Sequence, residues 1–333
     1  MPILEPHPFE LETLTPIWTG GPQQSCGPRM FETGIIGSLR WWLEACARTR
    51  VAIPDPVADH LQYNPRAPLD LDPVSRIFGA TGWRRRFRLT IESSEASKIP
   101  PELKVKSDPH PDPRNSQRTT DESIYYYRGA RAFTGPFTIR IQPLAAWRAD
   151  YDALSFELLR DLLALVAQHG MLGAKPQLGL GVVRLLTPSP VSGFPALRQW
   201  VHSLDYQKIK ANSRFPSLSD MLFGEIDAPS RNGQEKDEPY WRRAFRIKPQ
   251  IRRKFDDQGL RHRICGEKPA RSKILISHPY LDERDAPRQR YCAWLPEGLG
   301  DEMNDSQNVR DTIKDFFDKR PGHHGKNGST ILL

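Results

Sequence analysis

Between residues 9 and 187 the apolar residues switch between a two-residue and a 3.6-residue period in a fixed order, and that order constrains the fold more than any other feature. Residues 9–15, FELETLT, set Phe9 and Leu11 against Glu10 and Glu12, as a half-buried strand does. From Phe31 to Arg48, FETGIIGSLRWWLEACAR, the residues Ile35, Ile36, Leu39, Trp42, Leu43, Cys46 and Ala47 fall on one helical face. Arg40, Glu44 and Arg48 make a polar stripe on the same helix, with Glu44 placed to pair with Arg48. Residues 83–92, WRRRFRLTIE, and 136–143, PFTIRIQP, alternate again. Residues 153–169 return to helical spacing and stop at Gly170, a natural residue after a helix end; 182–186 form a last strand. Strand, helix, strand, strand, helix, strand is the βαββαβ order. It predicts an α+β fold: one antiparallel sheet of four strands, both helices on one face, and a long insertion at 94–122 between the second and third strands.

The chain has 333 residues, more than one core of ordinary size holds, so two domains are expected. A Pro/Ser/Gly stretch at 188–195 separates them, giving residues 1–190 and 191–333. The second half reads as a degenerate copy. WRRAFRI at 241–247 repeats WRRRFRL at 83–89, and each follows a Phe-Gly pair, Phe78-Gly79 and Phe223-Gly224. On that reading 241–247 is a strand, as are 273–277 and 290–295. Residues 305–319 make a last helix, with Val309, Ile313, Phe316 and Phe317 inward, and 321–333 form a frayed tail. The predicted architecture is two tandem ferredoxin-like (RRM-like) domains with long loop insertions.

Composition excludes several classes. No apolar run nears the roughly 20 residues of a membrane-spanning helix, and MPILEPHPFELE lacks the basic and apolar parts of a signal peptide, so a cytoplasmic protein without membrane contact is expected. Four cysteines without a CxxC pair argue against a disulfide scaffold or a zinc site. Asp70 and Asp72 in a Pro-rich loop, and His323-His324 near the end, read as solvated residues, so no metal and no cofactor is expected. The net charge of +8 is carried mostly by arginine, which suits phosphate partners.

Glycines mark the candidate site. Thr33 is placed as the cap of the first helix, and Gly34 and Gly37 follow it at a cost in helix propensity of about 1 kcal/mol each. They let another backbone reach the free N–H groups of the helix start. Trp41 lies off the apolar face. A second glycine-rich stretch runs Gly173-Ala174-Lys175-Pro176-Gln177-Leu178-Gly179-Leu180-Gly181, without the Gly-Lys-Ser/Thr ending of a P-loop. Arg84, Arg86 and Arg88 share one face of the 83–92 strand, a ladder that needs either phosphates or carboxylates to neutralise it. Tyr125-Tyr126-Tyr127-Arg128 suits base stacking or a protein interface equally. His169, in the last turn of its helix, either complements the helix dipole or acts as a catalyst.

Leu14 to Gly21, Thr33 to Trp42, Ile77-Phe78-Gly79, Gly82-Trp83-Arg84 and Gly173 to Gly181, in this order, resemble the RAMP superfamily of CRISPR-associated proteins. More narrowly they are similar to the first RAMP subunit of the type III-B (Cmr) effector complex. The resemblance covers about residues 9–187 and is thin beyond. It implies two ferredoxin-like folds, a glycine-rich loop on RNA, sister Cmr subunits as partners, and no catalytic centre. It also implies a place at the head of a ribonucleoprotein that holds guide RNA paired with single-stranded target RNA in antiviral defence. The candidate RNA contacts are Gly34, Gly37, Ser38, Arg40, Trp41, Arg84, Arg86, Lys175, Gln177, Gly179 and Gly181. They are expected to form two walls of one basic groove, with Arg40 pointing into it and Trp41 exposed beside it or covered by a partner. The alternative is a metal-independent endoribonuclease that processes guide RNA, with His169 or His278 as the general acid or base.

Overall fold

A computed structural model describes residues 5–20, 29–53, 71–93, 110–112, 115–120, 132–144, 156–174, 176–188, 192–205, 215–228, 244–266, 272–296 and 303–327. The first half contains β1 (His7–Thr13), α1 (Glu32–Ala47), α2 (Pro73–Phe78), β2 (Phe87–Ser93), β3 (His110–Asp112), β4 (Asn115–Thr120), β5 (Pro136–Pro143), α3 (Phe156–His169) and β6 (Val183–Thr187). The second half contains α4 (Pro195–Ser203), β7 (Met221–Asp227), α5 (Ala244–Arg252), α6 (Gln258–Cys265), β8 (Ile274–Ile276), β9 (Tyr280–Leu281), β10 (Pro287–Trp294), α7 (Met303–Asp318) and β11 (His324–Asn327).

The first sheet has the order β2-β5-β1-β6 with every neighbour antiparallel. Phe9 faces Ile139 and Leu11 faces Phe137 across β1 and β5, so the alternation in the sequence becomes one apolar face. α1 and α3 both pack on that face, in one cluster with Phe9, Leu11, Ile139 and Leu185. α3 is buried nearly all round, from Leu158 to Ala167, as a helix is when it is covered on more than one side. The cover is the second sheet. Its order is β11-β7-β10-β8, with β9 on β10. Met221 and Phe223 of β7 and Cys292 of β10 join the first core, while Leu222, Ile226, Tyr291 and Ala293 join a second core with α5, α6 and α7. The layers therefore run sheet, helices, sheet, helices. Counting the principal strands of each half in chain order, both sheets run fourth, first, third, second.

Four expectations change. Ala244–Arg252 is a helix, not a strand: Ile247 and Ile251 are both buried at a four-residue spacing, and the second core rewards that spacing over alternation. Trp241 to Arg243 lie outside the described residues. The second Phe-Gly pair sits inside β7, whereas Phe78-Gly79 ends α2, so the two sequence repeats occupy different places. The 94–122 insertion contains the β3–β4 hairpin. The tail is not frayed at 324–327, because β11 pairs with β7. His323 Nε2 lies 2.8 Å from the Tyr291 hydroxyl, which ties the preceding turn down.

Candidate nucleic-acid interface

The first helix begins at Glu32, one residue before the expected cap. Its N-cap is Phe31, whose side chain caps nothing; the Phe31 N–H instead donates to the buried Thr19 hydroxyl at 2.9 Å. The amide groups of the α1 start therefore have no capping side chain, and the carboxylate in the first turn, Glu32, accepts from Arg29 at 3.2 Å. Gly34 rests against Thr19, where a Cβ would meet the threonine side chain at 3.1 Å. Thr19 follows Trp18, and Trp18 pairs with Ala174 through a 2.7 Å hydrogen bond from the Ala174 N–H. One turn along α1, the Ser38 hydroxyl donates to the Met171 carbonyl at 3.4 Å and the Trp42 indole to the same oxygen at 3.2 Å. The two glycine stretches thus lie side by side, joined through Thr15 to Thr19. Gly37 and Gly20 are open: a Cβ at either would touch nothing.

The rest of the expected groove is arranged differently. Arg40 is engaged within the fold: it donates to Glu44 at 2.9 Å, the Gly79 carbonyl at 2.6 Å and the Ser75 hydroxyl at 2.9 Å. It fastens α2 to α1, and Glu44 also accepts from Arg48, as the stripe predicted. Trp41 is half-buried and stands edge-on to Trp42 at 4.9 Å. Arg84 and Arg86 precede β2, so they do not form a ladder with Arg88. Arg84 is exposed, and Arg86 lies over the Trp83 ring at 4.4 Å. Because Arg40 holds Gly79, the Arg84–Arg86 turn sits on the α1–α2 edge. The open face of the first sheet is balanced by carboxylates, Arg140 with Glu92 at 2.7 Å and Arg184 with Glu12 at 3.6 Å.

Gly179 and Gly181 are buried and have positive φ, +82° and +95°. The Gly179 carbonyl accepts from the His278 N–H at 2.9 Å, and the Gly181 carbonyl from the Leu172 N–H at 2.7 Å. A Cβ at Gly181 would run into the Leu172 carbonyl. These two glycines serve close approach of backbone to backbone. The Gln177 carbonyl accepts from Lys248 Nζ at 2.5 Å, and burial pushes the Lys248 ammonium down to about 8. Lys175 and the Tyr125–Arg128 run lie outside the described residues. Asp72 caps α2, accepting from the Val74 and Ser75 N–H groups at 2.9 and 2.8 Å. Asp70 lies outside the described residues. Among the described residues no group of three His, Cys, Asp or Glu could hold a metal, and no helix is long and apolar enough to cross a membrane.

A cleft of about 530 Å³ opens where the two halves meet at the end of α3. His169, Tyr280, Glu225, Arg290, His324 and Lys326 line it. Arg290 comes from β10 and reaches across to α3, donating to the Ala167 carbonyl at 2.7 Å and the Gly170 carbonyl at 3.2 Å. It also pairs with Glu225 at 3.0 Å, and Glu225 accepts from the Tyr280 hydroxyl. Burial, with Arg290 and Lys326 nearby, pulls the His169 imidazole down to about 4. The sequence reading passed over Arg290, Glu225 and Tyr280. The only signal was Arg290 standing directly before the apolar run Tyr291 to Trp294 of β10.

Fold and site define a two-sheet α+β protein whose glycine-rich segments meet at the start of its first helix. The RAMP superfamily model matches residues 10–184, and the chain belongs to that superfamily. No curated protein sequence matches. Among solved structures, Cmr1 from Pyrococcus furiosus in its apo form aligns at a TM-score of 0.45 and 11% identity, covering 96% of this chain and 97% of that one. A chain of a type III-B Cmr-beta complex bound to cognate target RNA and AMPPnP aligns at 0.44 and 12%, covering 95% and 99%. A second Cmr-beta complex with cognate target RNA aligns at 0.40 and 12%, covering the full length of both chains.

Proposed function

We propose that this chain is a non-catalytic RNA-binding subunit of a type III-B CRISPR effector complex, built as two tandem ferredoxin-like domains, residues 1–190 and 191–333. It holds guide RNA and its single-stranded target alongside sister Cmr subunits. The observation that carries the reading is the placement of the superfamily match: residues 10–184 contain the uncapped α1 start, the open Gly37 and the adjoining Met171–Ala174 segment. The shared strand order of the two sheets supports the tandem fold. Exposed backbone N–H groups and arginines position a phosphate chain without reading bases; in a guided complex pairing supplies the sequence.

A second reading rests on the cleft. His169 is neutral at pH 7 and can accept a proton, with Lys326 and Tyr280 in the same lining, the composition a metal-independent ribonuclease uses. One experiment separates the two. The purified chain is titrated against labelled single-stranded RNA in EDTA, beside Gly37→Glu, which places a carboxylate in open space on α1. The expected result is intact RNA and binding weakened roughly tenfold by the variant. Cleavage abolished by His169→Ala would assign the second reading, and absence of binding at low salt would exclude the first.

A further inference from the structure

Residues 244–266 hold seven Lys or Arg and two Asp, a surplus of five positive charges against +8 for the whole chain. They fold as α5, a short turn and α6. Arg253, Lys254 and Arg263 are exposed, and Arg252 and Arg261 are half-buried on the side that brings both charges to bear on the Cys265 thiol. Among the described residues Arg252, Arg253, Lys254 and Arg261 have no carboxylate partner, whereas Arg140, Arg184 and Arg288 do. Of the two aspartates, Asp257 is occupied in capping α6 through the Leu260 N–H. Clustered like charges repel one another, and an anion brought against them relieves that repulsion.

The chemistry of the face selects the anion. Among the described residues the exposed large apolar side chains, Leu144, Leu186 and Leu281, all lie elsewhere, and protein interfaces centre on apolar or aromatic anchors. A phosphate chain needs only cations on flexible stems. The face also adjoins the glycine-rich segment, because Lys248 of α5 is anchored on the Gln177 carbonyl.

We infer that the α5–α6 pair is a second RNA-backbone site, continuing the path of a strand away from the α1 edge onto the second half. It rests on the reading of this chain as an RNA binder. The test measures affinity of the full chain for a labelled single-stranded RNA over a series of salt concentrations. Arg253→Ala/Lys254→Ala, both exposed and safe for folding, is compared with a variant that adds Arg252→Ala and Arg261→Ala. The slope of log affinity against log salt is expected to become shallower by about 0.7 for each phosphate that is no longer neutralised. Lys314→Ala/Lys319→Ala, exposed on α7 and just past its end, should leave the slope unchanged. An unchanged slope in the patch variants, with wild-type binding intact, overturns this site and leaves the proposed function standing. Loss of assembly with sister subunits at unchanged RNA affinity also overturns it, giving the face to a protein. If the wild-type chain binds no RNA, both readings fail together.

Discussion

Arg290 is 5% exposed, and its charge is met on two sides, by Glu225 and by the carbonyls at the end of α3. Glu225 is 31% exposed, so the pair is a poor source of net stability, but removing the carboxylate would leave the buried guanidinium with the two carbonyls alone. Its effect on a neighbour is measurable. His169 is held near 4 by burial first, then by the charges of Arg290 and Lys326, against an opposing pull from Glu225. An unfolded histidine titrates near 6.5. Below that pH the unfolded chain takes up a proton that the folded chain refuses, so stability falls as pH drops from about 6.5 to 4. The loss from this one residue is about 3 kcal/mol by pH 4, at roughly 1.4 kcal/mol for each pH unit. Urea midpoints measured from pH 7 to pH 4 should therefore fall more steeply in the wild type than in His169→Gln. Parallel curves would mean that the imidazole is protonated in the folded state.

Among the elements, the glycines of α1 and of the 173–181 segment behave oppositely. Gly37 sits on an exposed helical turn with nothing near its Cα hydrogens, so Gly37→Ala should stabilise the protein by about 0.5–1 kcal/mol. Gly179 has a φ of +82°, and a Cβ there would come within 2.7 Å of the His278 nitrogen, so Gly179→Ala should destabilise by about 1–3 kcal/mol. Chemical denaturation of the two variants checks both signs. The same contrast explains what the sequence could reveal. The helix α1 and the strands β1, β2, β5 and β6 were legible because each has one core face and one other face, and α3, covered on more than one side, was legible from its helical spacing and its stop at Gly170. Gly179 and Gly181 were legible as glycines that something must approach, but not that the visitor is the backbone of Ile276 to His278 and of Leu172. That approach is a product of tertiary packing. In WRRAFRI the alternation of large and charged residues imitated a strand. The spacing of Ile247, Ile251 and Phe255 carried the helix signal and was outweighed by the resemblance to 83–89. Arg40 was correctly placed in its stripe with Glu44 and Arg48; its hold on Gly79 and Ser75 depends on where α2 lands.

On the scale of the whole molecule, the helices of the first half form the floor of the second sheet. Phe223 of β7 is fully buried with its ring 6.0 Å from Trp42 and 5.9 Å from His169, and Arg48, at the C-terminal cap of α1, donates to the Pro216 carbonyl at 3.2 Å. Neither half can expose this face without uncovering α3, whose buried run extends from Leu158 to Ala167. Folding should accordingly be one event. A Phe-to-Ala change in a core costs about 3–5 kcal/mol, and Phe223→Ala removes packing that belongs to both halves at once. Helix loss by circular dichroism and tryptophan burial by fluorescence should shift together in this variant, keeping one common midpoint, as an all-or-none transition requires. If the fluorescence midpoint moved while part of the helical signal kept the wild-type midpoint, the halves would be separable units joined by a weak interface. The continuous RNA path from α1 to α5–α6 would then lose its rigid support.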